Sequence, residues 1–158
     1  MPLAGPRLTQ RRQARRTYAR LEPLEHELDE LLTRRALRLP RPRFSSPATR
    51  LVWRQTSIHN ALGHLDAFFD RALFERTLEA AAHTTAGAEQ AEATAWAAVV
   101  AAAVAEERTG GPDRALTDAL DQAPSTALLV PIADALTRSP LVAAARVRAG
   151  TTERSTRA

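Results

Sequence analysis

Apolar residues along the chain recur every three or four positions, a spacing that places them on one face of an α-helix. One stripe lies in residues 21–39 and consists of Leu21, Leu24, Leu28 and Leu31. A second lies in residues 51–73 and consists of Leu51, Ile58, Leu62, Leu65, Phe69 and Leu73. No segment shows the sustained alternation of apolar and polar residues that is typical of a strand. The pattern therefore predicts an all-α protein.

Capping residues and prolines set the predicted boundaries of the first helices. Thr9 is the expected N-cap of a basic N-terminal helix. Ser46 followed by Pro47 predicts the start of the strongest helix, which the second stripe extends to about His83. Between the first stripe and this helix, the prolines of residues 39–47 predict a loop.

A third long helix is predicted over residues 88–108, and Gly110, Gly111 and Pro112 end it. The remaining sequence is broken by proline into shorter segments, and Pro131 is expected to disturb the middle one. These shorter helices are predicted over residues 113–122, 125–137 and 140–149.

The predicted architecture is a small helical bundle of three long helices plus short C-terminal helices. Residues 21–149 form its single domain, residues 1–20 form a basic N-terminal helix or arm, and the polar residues 150–158 form a frayed tail. Trp53 and Trp96 lie within apolar helical patterns, so we predict that both anchor the core or an interface.

The composition excludes several kinds of chemistry. The 158 residues contain no Cys, which rules out disulfides, thiolate nucleophiles and thiolate metal sites. The longest apolar run, residues 95–105, is far shorter than the ~20 residues that a membrane span requires. The basic N-terminus has no apolar segment behind it, so a secretory signal is not expected. We therefore expect a cytoplasmic protein with no membrane partner.

Charge is segregated along the chain, although the formal net charge is only +4. All 22 basic residues are Arg and 33 residues are Ala, a bias typical of a GC-rich coding sequence, so the choice of Arg over Lys carries no functional information. Successive blocks carry +6, −5, +7, −8 and +4 over residues 1–20, 21–33, 34–54, 55–137 and 138–158. Such blocks indicate either contacts between oppositely charged parts or a basic end open to an anionic partner.

The first basic block carries the main candidate binding site. Six arginines of residues 7–20 lie in two rows of four-residue spacing that are offset by about 100° on a helix, so they form one cationic face. Residues 9–20 resemble the arginine-rich helical peptides that bind RNA, which implies contacts to the phosphates of DNA or RNA. The predicted nucleic-acid-binding residues are Arg7, Arg11, Arg12, Arg15, Arg16, Arg20, Arg41 and Arg43.

Two other interpretations of the same features remain open. Residues 1–20 form a solvated arm, or they lie across the acidic surface of residues 55–137 or of a second copy. Alternatively, the leucine stripes of residues 21–39 and 51–73 form a homo-oligomer or recruit a protein partner, and the charge blocks set the register. The favoured hypothesis is a non-catalytic accessory protein that contacts nucleic-acid phosphates through residues 7–20.

Two resemblances to known families indicate an enzyme. We rank an enzymatic function below the binding functions described above. Arg54 and His59 fit the Arg-x4-His spacing of HEPN-type ribonucleases, but roughly 1.7 such matches arise by chance in a chain of this composition. Residues 57–73 are similar to the second helix of DinB-like four-helix bundles, which implies a metal ligand at His64. The third predicted helix contains no further His to complete such a site. No catalytic residue, metal ligand or cofactor is therefore assigned.

Overall fold

The computed structural model describes residues 5–40, 43–110, 119–120 and 122–156. These residues form seven α-helices and, apart from an isolated bridge between Asp70 and Ala119, no β-structure, which confirms the predicted all-α bundle. The helices are α1 (Pro6–Arg20), α2 (Glu22–Arg34), α3 (Pro47–Leu65), α4 (Arg71–Ala82), α5 (Ala88–Thr109), α6 (Leu129–Arg138) and α7 (Pro140–Thr156).

The two N-terminal helices are joined almost without a break. α1 begins at Pro6, earlier than the predicted cap at Thr9, because proline needs no N–H partner in a first turn. Leu21 keeps helical torsion angles between α1 and α2, and Pro23 lies in the first turn of α2. The basic helix is therefore a direct extension of the bundle.

α2 ends at Arg34, before the predicted boundary near residue 39. The Leu37 N–H donates to the Leu32 carbonyl at 3.0 Å, and the Ala36 N–H donates to the Thr33 carbonyl at 3.3 Å. This pair of bonds defines a Schellman cap, which requires a left-handed residue at Ala36. Ala36 has a φ of 53°, which lies in the left-handed region that glycine usually occupies.

The single long helix predicted from residue 46 to residue 83 is wrong, although its start is confirmed. The Ser46 hydroxyl accepts from the Thr49 N–H at 3.1 Å. α3 then ends at Leu65, a short 3-10 turn covers residues 66–68, and the Asp70 carboxylate caps α4 by accepting from the Leu73 N–H at 3.1 Å. A carboxylate that can bond the third following N–H favours a new helix start over continuation.

α5 is the central helix and confirms the third predicted long helix. It contacts α2, α3, α4, α6 and α7, and its alanines allow these neighbours to approach closely. Trp96 is buried in α5 and makes edge-to-face contacts with Phe69 and Phe74 at centroid distances of 5.6 and 5.0 Å. Gly110 ends α5 with a φ of 66°. The prediction that Trp96 anchors the core is confirmed.

Both leucine stripes are buried in the core of the chain itself, where α2 packs against α3 and α6 and where α3 and α4 pack against α5. The fully buried members include Leu21, Leu24, Leu28, Leu31, Ile58, Leu62, Leu65 and Phe69. The apolar faces that the sequence pattern defines are therefore buried mostly within a single chain.

The C-terminal third differs in detail from the prediction. The predicted helix over residues 113–122 lies mostly outside the described residues, and residues 119–120 are not helical. Pro131 lies in the first turn of α6 and does not disturb that helix. α7 continues past Gly150 to Thr156, so most of the segment that was predicted to fray is helical.

Candidate anion-binding surface and cavity

α1 packs against α3 and α6 through one narrow side. Ala14 is buried and Tyr18 is half-buried on this side. At 100° per residue, Arg12, Arg16 and Arg20 lie on the side of α1 opposite these packing residues, whereas Arg7, Arg11 and Arg15 lie within about 80° of them. We call the exposed arginines of α1 the arginine surface; they are Arg7, Arg11, Arg12, Arg15, Arg16 and Arg20.

The arginine surface keeps most of its charge unneutralised. Arg20 pairs with Asp134 of α6 at 2.7 Å, which ties the end of α1 to the bundle. The other five arginines form no ion pair or side-chain hydrogen bond within the described residues. Along about 14 Å of helix axis, α1 therefore presents five cations to its surroundings.

A second basic feature lies beside the packing side of α1. It is a cavity of about 350 Å³ between α1, α2, α3 and the segment that precedes α3. We call it the basic cavity; its lining residues are Tyr18, Glu25, Arg38, Arg43, Ser45, Arg50, Trp53, Arg54 and Ser57.

The inner wall of the basic cavity is built around Arg54. Its side chain is only 10% exposed, and its guanidinium carbon lies 3.6 Å from the centre of the Tyr18 ring, a cation–π contact. Arg54 also donates to the Tyr18 carbonyl at 2.5 Å and forms an ion pair with Glu25. This cluster holds α1, α2 and α3 together at one point.

Arg38 completes the inner wall. It donates to Glu25 at 2.7 Å and also forms an ion pair with Asp29 on the next turn of α2. The cations of Arg38 and Arg54 are therefore balanced by two carboxylates, and this part of the wall is close to neutral.

The rim of the basic cavity is not balanced in this way. Arg43 and Arg50 are exposed, and neither forms an ion pair with a described carboxylate. Among the described residues, Arg50 donates solely to the neutral Ser45 hydroxyl, at 3.3 Å. Arg41, the other loop arginine that the sequence predicts to contact nucleic acid, lies outside the described residues.

Two aromatic side chains border this rim, and sequence reasoning missed the position of both. Trp53 is half-buried in the cavity wall and lies outside the core cluster, so the core half of its predicted core-or-interface role is wrong, and the interface half stays a prediction. Trp53 shares a face of α3 with Arg50 and Ser57, because residues three and four apart align on a helix.

Phe44 is 98% exposed next to Arg43. The sequence signal for this exposed position was a lone Phe between Arg43 and Ser45 in a proline-rich loop.

The two residues that match the ribonuclease spacing contact different parts of the molecule. Arg54 faces Tyr18 and Glu25, whereas the His59 ring lies 3.0 Å from the Thr126 hydroxyl at the 3-10 turn before α6. A separation of five residues places them about 140° apart around α3. The arrangement does not bring them to a common site.

His64, the position suggested by the DinB-like resemblance, lies near a buried ion cluster. Its ring nitrogen is 4.0 Å from Glu107, which also accepts from Arg34 at 2.5 Å and from Arg35 at 2.9 Å. Burial would raise the pKa of Glu107, but the hydrogen bonds and charges of the two arginines outweigh it and lower the pKa below the ordinary 4.5. The described residues contain no group of three His, Asp or Glu side chains that could hold a metal ion.

The fold and these two features define a class of protein: an all-α bundle with an arginine surface on its first helix and a basic cavity beside it. The chain belongs to a family of unknown function, DUF6545, whose model matches residues 10–139. The match runs from the second turn of α1 to the end of α6 and includes every residue that lines the basic cavity. No curated protein and no solved structure matches the chain.

Hydropathy adds one observation about the C-terminal helices. Within the described residues, no single helix is both long and apolar enough to cross a membrane. Residues 126–138 and 140–151 together have the length and apolar composition of a membrane span, but the two segments are bent by 72° at the break between them.

Proposed function

We propose that the protein is a non-catalytic helical accessory protein that contacts nucleic-acid phosphates through the arginine surface of α1. The observation that carries this proposal is the set of five exposed arginines that have no partner among the described residues. A cationic surface of this kind gains affinity for a polyanion by releasing counterions from its phosphates.

The packing of α1 supports binding by an ordered helix. Ala14, Tyr18 and the Arg20–Asp134 ion pair attach α1 to the bundle and leave its opposite arc accessible. An ordered array pays less conformational entropy on binding than a disordered arm does. The spacing between cations is therefore set before the nucleic acid arrives.

The loop before α3 favours a single strand over a duplex. Phe44 offers an open ring face beside the unpaired Arg43, and Arg43 shares the basic cavity with Tyr18 of α1. Aromatic rings next to cations bind single strands by stacking on bases while the cations contact phosphates. Residues 43–44 thus extend the arginine surface with a contact that a stacked duplex does not offer.

The alternative of a protein partner or homo-oligomer held by the leucine stripes has less support. The leucines of residues 21–39 and 51–73 that define the stripes lie mostly inside the chain's own core. A partner would have to use other surfaces. The interaction-module hypothesis remains a prediction, and an oligomeric mass measured by light scattering tests it.

The experiment that tests the proposed function is fluorescence anisotropy of labelled single-stranded RNA, single-stranded DNA and duplex DNA across a salt series. The variant is Arg12→Gln/Arg16→Gln, and the matched control is Arg76→Gln/Arg138→Gln, which removes two exposed arginines of α4 and α6. We expect the first variant alone to lose affinity and to reduce the log–log salt slope by about 1.4 on single strands. Absence of binding at low salt, or equal losses in both variants, contradicts the proposal.

A further inference from the structure

We propose that the basic cavity binds a nucleoside that carries a terminal phosphate monoester. This site lies beside the arginine surface and shares only Arg43 with the single-strand contacts proposed above, so it does not depend on the arginines of α1. The inference rests on three properties of the cavity: its unbalanced charge, its aromatic wall and its volume.

Charge selects the phosphate. The inner cations Arg38 and Arg54 are balanced by Glu25 and Asp29, so the net charge at the cavity comes from Arg43 and Arg50 on the rim. A phosphate monoester carries about −1.5 to −2 at neutral pH. Two guanidinium groups without a carboxylate partner among the described residues match this charge, whereas an internal phosphodiester carries a single negative charge. The rim therefore favours a terminal phosphate over the backbone of a strand.

The inner wall fixes the backbone position of Arg50, one of the two rim cations. Arg54 is held by the Tyr18 ring, the Tyr18 carbonyl and Glu25, so this part of α3 is anchored to both α1 and α2. Arg50 lies one turn before Arg54 on the same helix and projects from this anchored segment. Because the backbone of this segment is already ordered, binding of an anion at Arg50 requires the ordering of its side chain only.

The aromatic wall and the volume select the nucleoside. Trp53 forms part of the wall, and its indole makes no hydrogen bond within the described residues. Ser57, which is buried on the same face of α3, offers a hydroxyl with no partner among those residues. A volume of about 350 Å³ exceeds what a phosphate group fills, and it lies in the range of small-ligand pockets. The Trp53 ring thus provides a stacking surface for a base.

The same ligand chemistry has two sources: a free mononucleotide and the phosphorylated end of a nucleic-acid strand. The first test uses AMP, adenosine and inorganic phosphate with the full chain, by titration calorimetry and by fluorescence of Trp53 in a Trp96→Phe background. We expect AMP to bind at least tenfold more tightly than adenosine and than phosphate, because each of these lacks one of the two contacts. Equal binding of AMP and either fragment overturns the proposal, as does the absence of binding.

Variants of the exposed rim separate the site from the fold. Arg43→Ala and Arg50→Ala are each expected to weaken AMP binding about tenfold, because charge-assisted contacts to phosphate are lost. Arg76→Ala on α4 is the matched control and is expected to leave binding unchanged. Circular dichroism checks that each variant keeps its helical content. Unchanged AMP binding in both rim variants overturns the proposal.

A pH series and a strand competitor complete the test. AMP binding is expected to weaken as the pH falls through the second phosphate pKa of about 6, because the dianion becomes a monoanion. Affinity that does not change over this range contradicts the preference for a monoester. Displacement of AMP by a 5′-phosphorylated oligonucleotide but not by its unphosphorylated form assigns the strand end as the source. Displacement by neither form assigns the free mononucleotide.

Discussion

Arg34 at the end of α2 donates to Glu107 near the end of α5 across a gap of 73 residues in sequence, at a distance of 2.5 Å. The Glu107 side chain is almost fully buried, and Arg35 supplies a second donor at 2.9 Å. A buried carboxylate is stable only when its charge is paired in this way. The contact therefore fixes how α2 docks on the central helix.

The first prediction concerns the stability that this contact provides. Glu107→Gln removes the charge while it keeps the side-chain shape, and we expect the free energy of unfolding to fall by about 1–3 kcal/mol. Chemical denaturation at neutral pH measures this loss. Glu30→Gln is the matched control, because Glu30 and Arg108 also link α2 to α5 but are about half exposed. We expect Glu30→Gln to lower the free energy of unfolding by less than about 0.5 kcal/mol. Equal losses in both variants contradict a larger contribution from the buried Glu107 contact.

The second prediction follows from the lowered pKa of Glu107. Because the folded-state pKa lies below 4.5, this group stabilises the fold fully above that pH, and the contribution is lost as the pH falls through the folded-state pKa. The difference in unfolding free energy between the wild type and Glu107→Gln should therefore be constant above 4.5 and shrink in more acidic solution. A difference that grows with acidity is inconsistent with a lowered pKa.

The third prediction concerns the left-handed residue that ends α2. Ala36 has a φ of 53°, where its Cβ is strained, so Ala36→Gly should raise the free energy of unfolding by about 0.5–1 kcal/mol. Gly110 has a φ of 66° at the end of α5, and Gly110→Ala should lower stability by about 1 kcal/mol. Thermal unfolding measures both changes. Destabilisation by Ala36→Gly is the result that contradicts the Schellman cap.

A fourth prediction tests the break between α3 and α4. Asp70→Ala removes the acceptor for the Leu73 N–H and should cost about 1 kcal/mol of stability. Asp70→Asn keeps a side-chain oxygen at the cap and should cost much less. If the two variants are equally destabilised in chemical denaturation, capping does not set this helix start.

The fifth prediction separates stacking from folding at the exposed aromatic residue. Phe44→Ala should leave the free energy of unfolding within about 0.5 kcal/mol of the wild type, because the side chain is 98% exposed. We expect its binding of single-stranded oligonucleotides to weaken by about 1–3 kcal/mol, with little change for duplex DNA. Val52→Ala removes a different exposed apolar group, 60% exposed, and serves as the control in the same anisotropy assay. Equal losses for single strands and duplex argue against base stacking.

The sequence predicted the elements that depend on local signals. Ser46 with Pro47 identified the start of α3, and Gly110 identified the end of α5, because capping and left-handed torsion angles favour particular residue types. The break after Leu65 was missed because Phe69 and Leu73 keep the four-residue spacing and stay in the core on both sides of it. Asp70 was the signal for this boundary.

The site was predictable only in part, because it depends on which distant residues meet. The four-residue arginine repeat placed the arginine surface on one helix, and the fold leaves all six of these arginines exposed. The basic cavity joins Tyr18, Glu25 and Arg54 from three helices, and no spacing along the chain encodes that meeting. Trp53 has the same apolar neighbourhood in sequence as Trp96, yet only tertiary packing distinguishes a cavity wall from the core.

The alanine-rich central helix also determines where this chain can accept change during evolution. Ala93, Ala97, Ala98 and Ala103 have no exposed area, so a larger side chain at any of these positions displaces a neighbouring helix. Overpacking of this kind typically costs about 1–3 kcal/mol, a large part of the stability of a small domain. The outer face of α1 has no such constraint, because its side chains contact solvent. Mutational drift should therefore leave the buried scaffold nearly fixed in size while the exposed positions of α1 diversify.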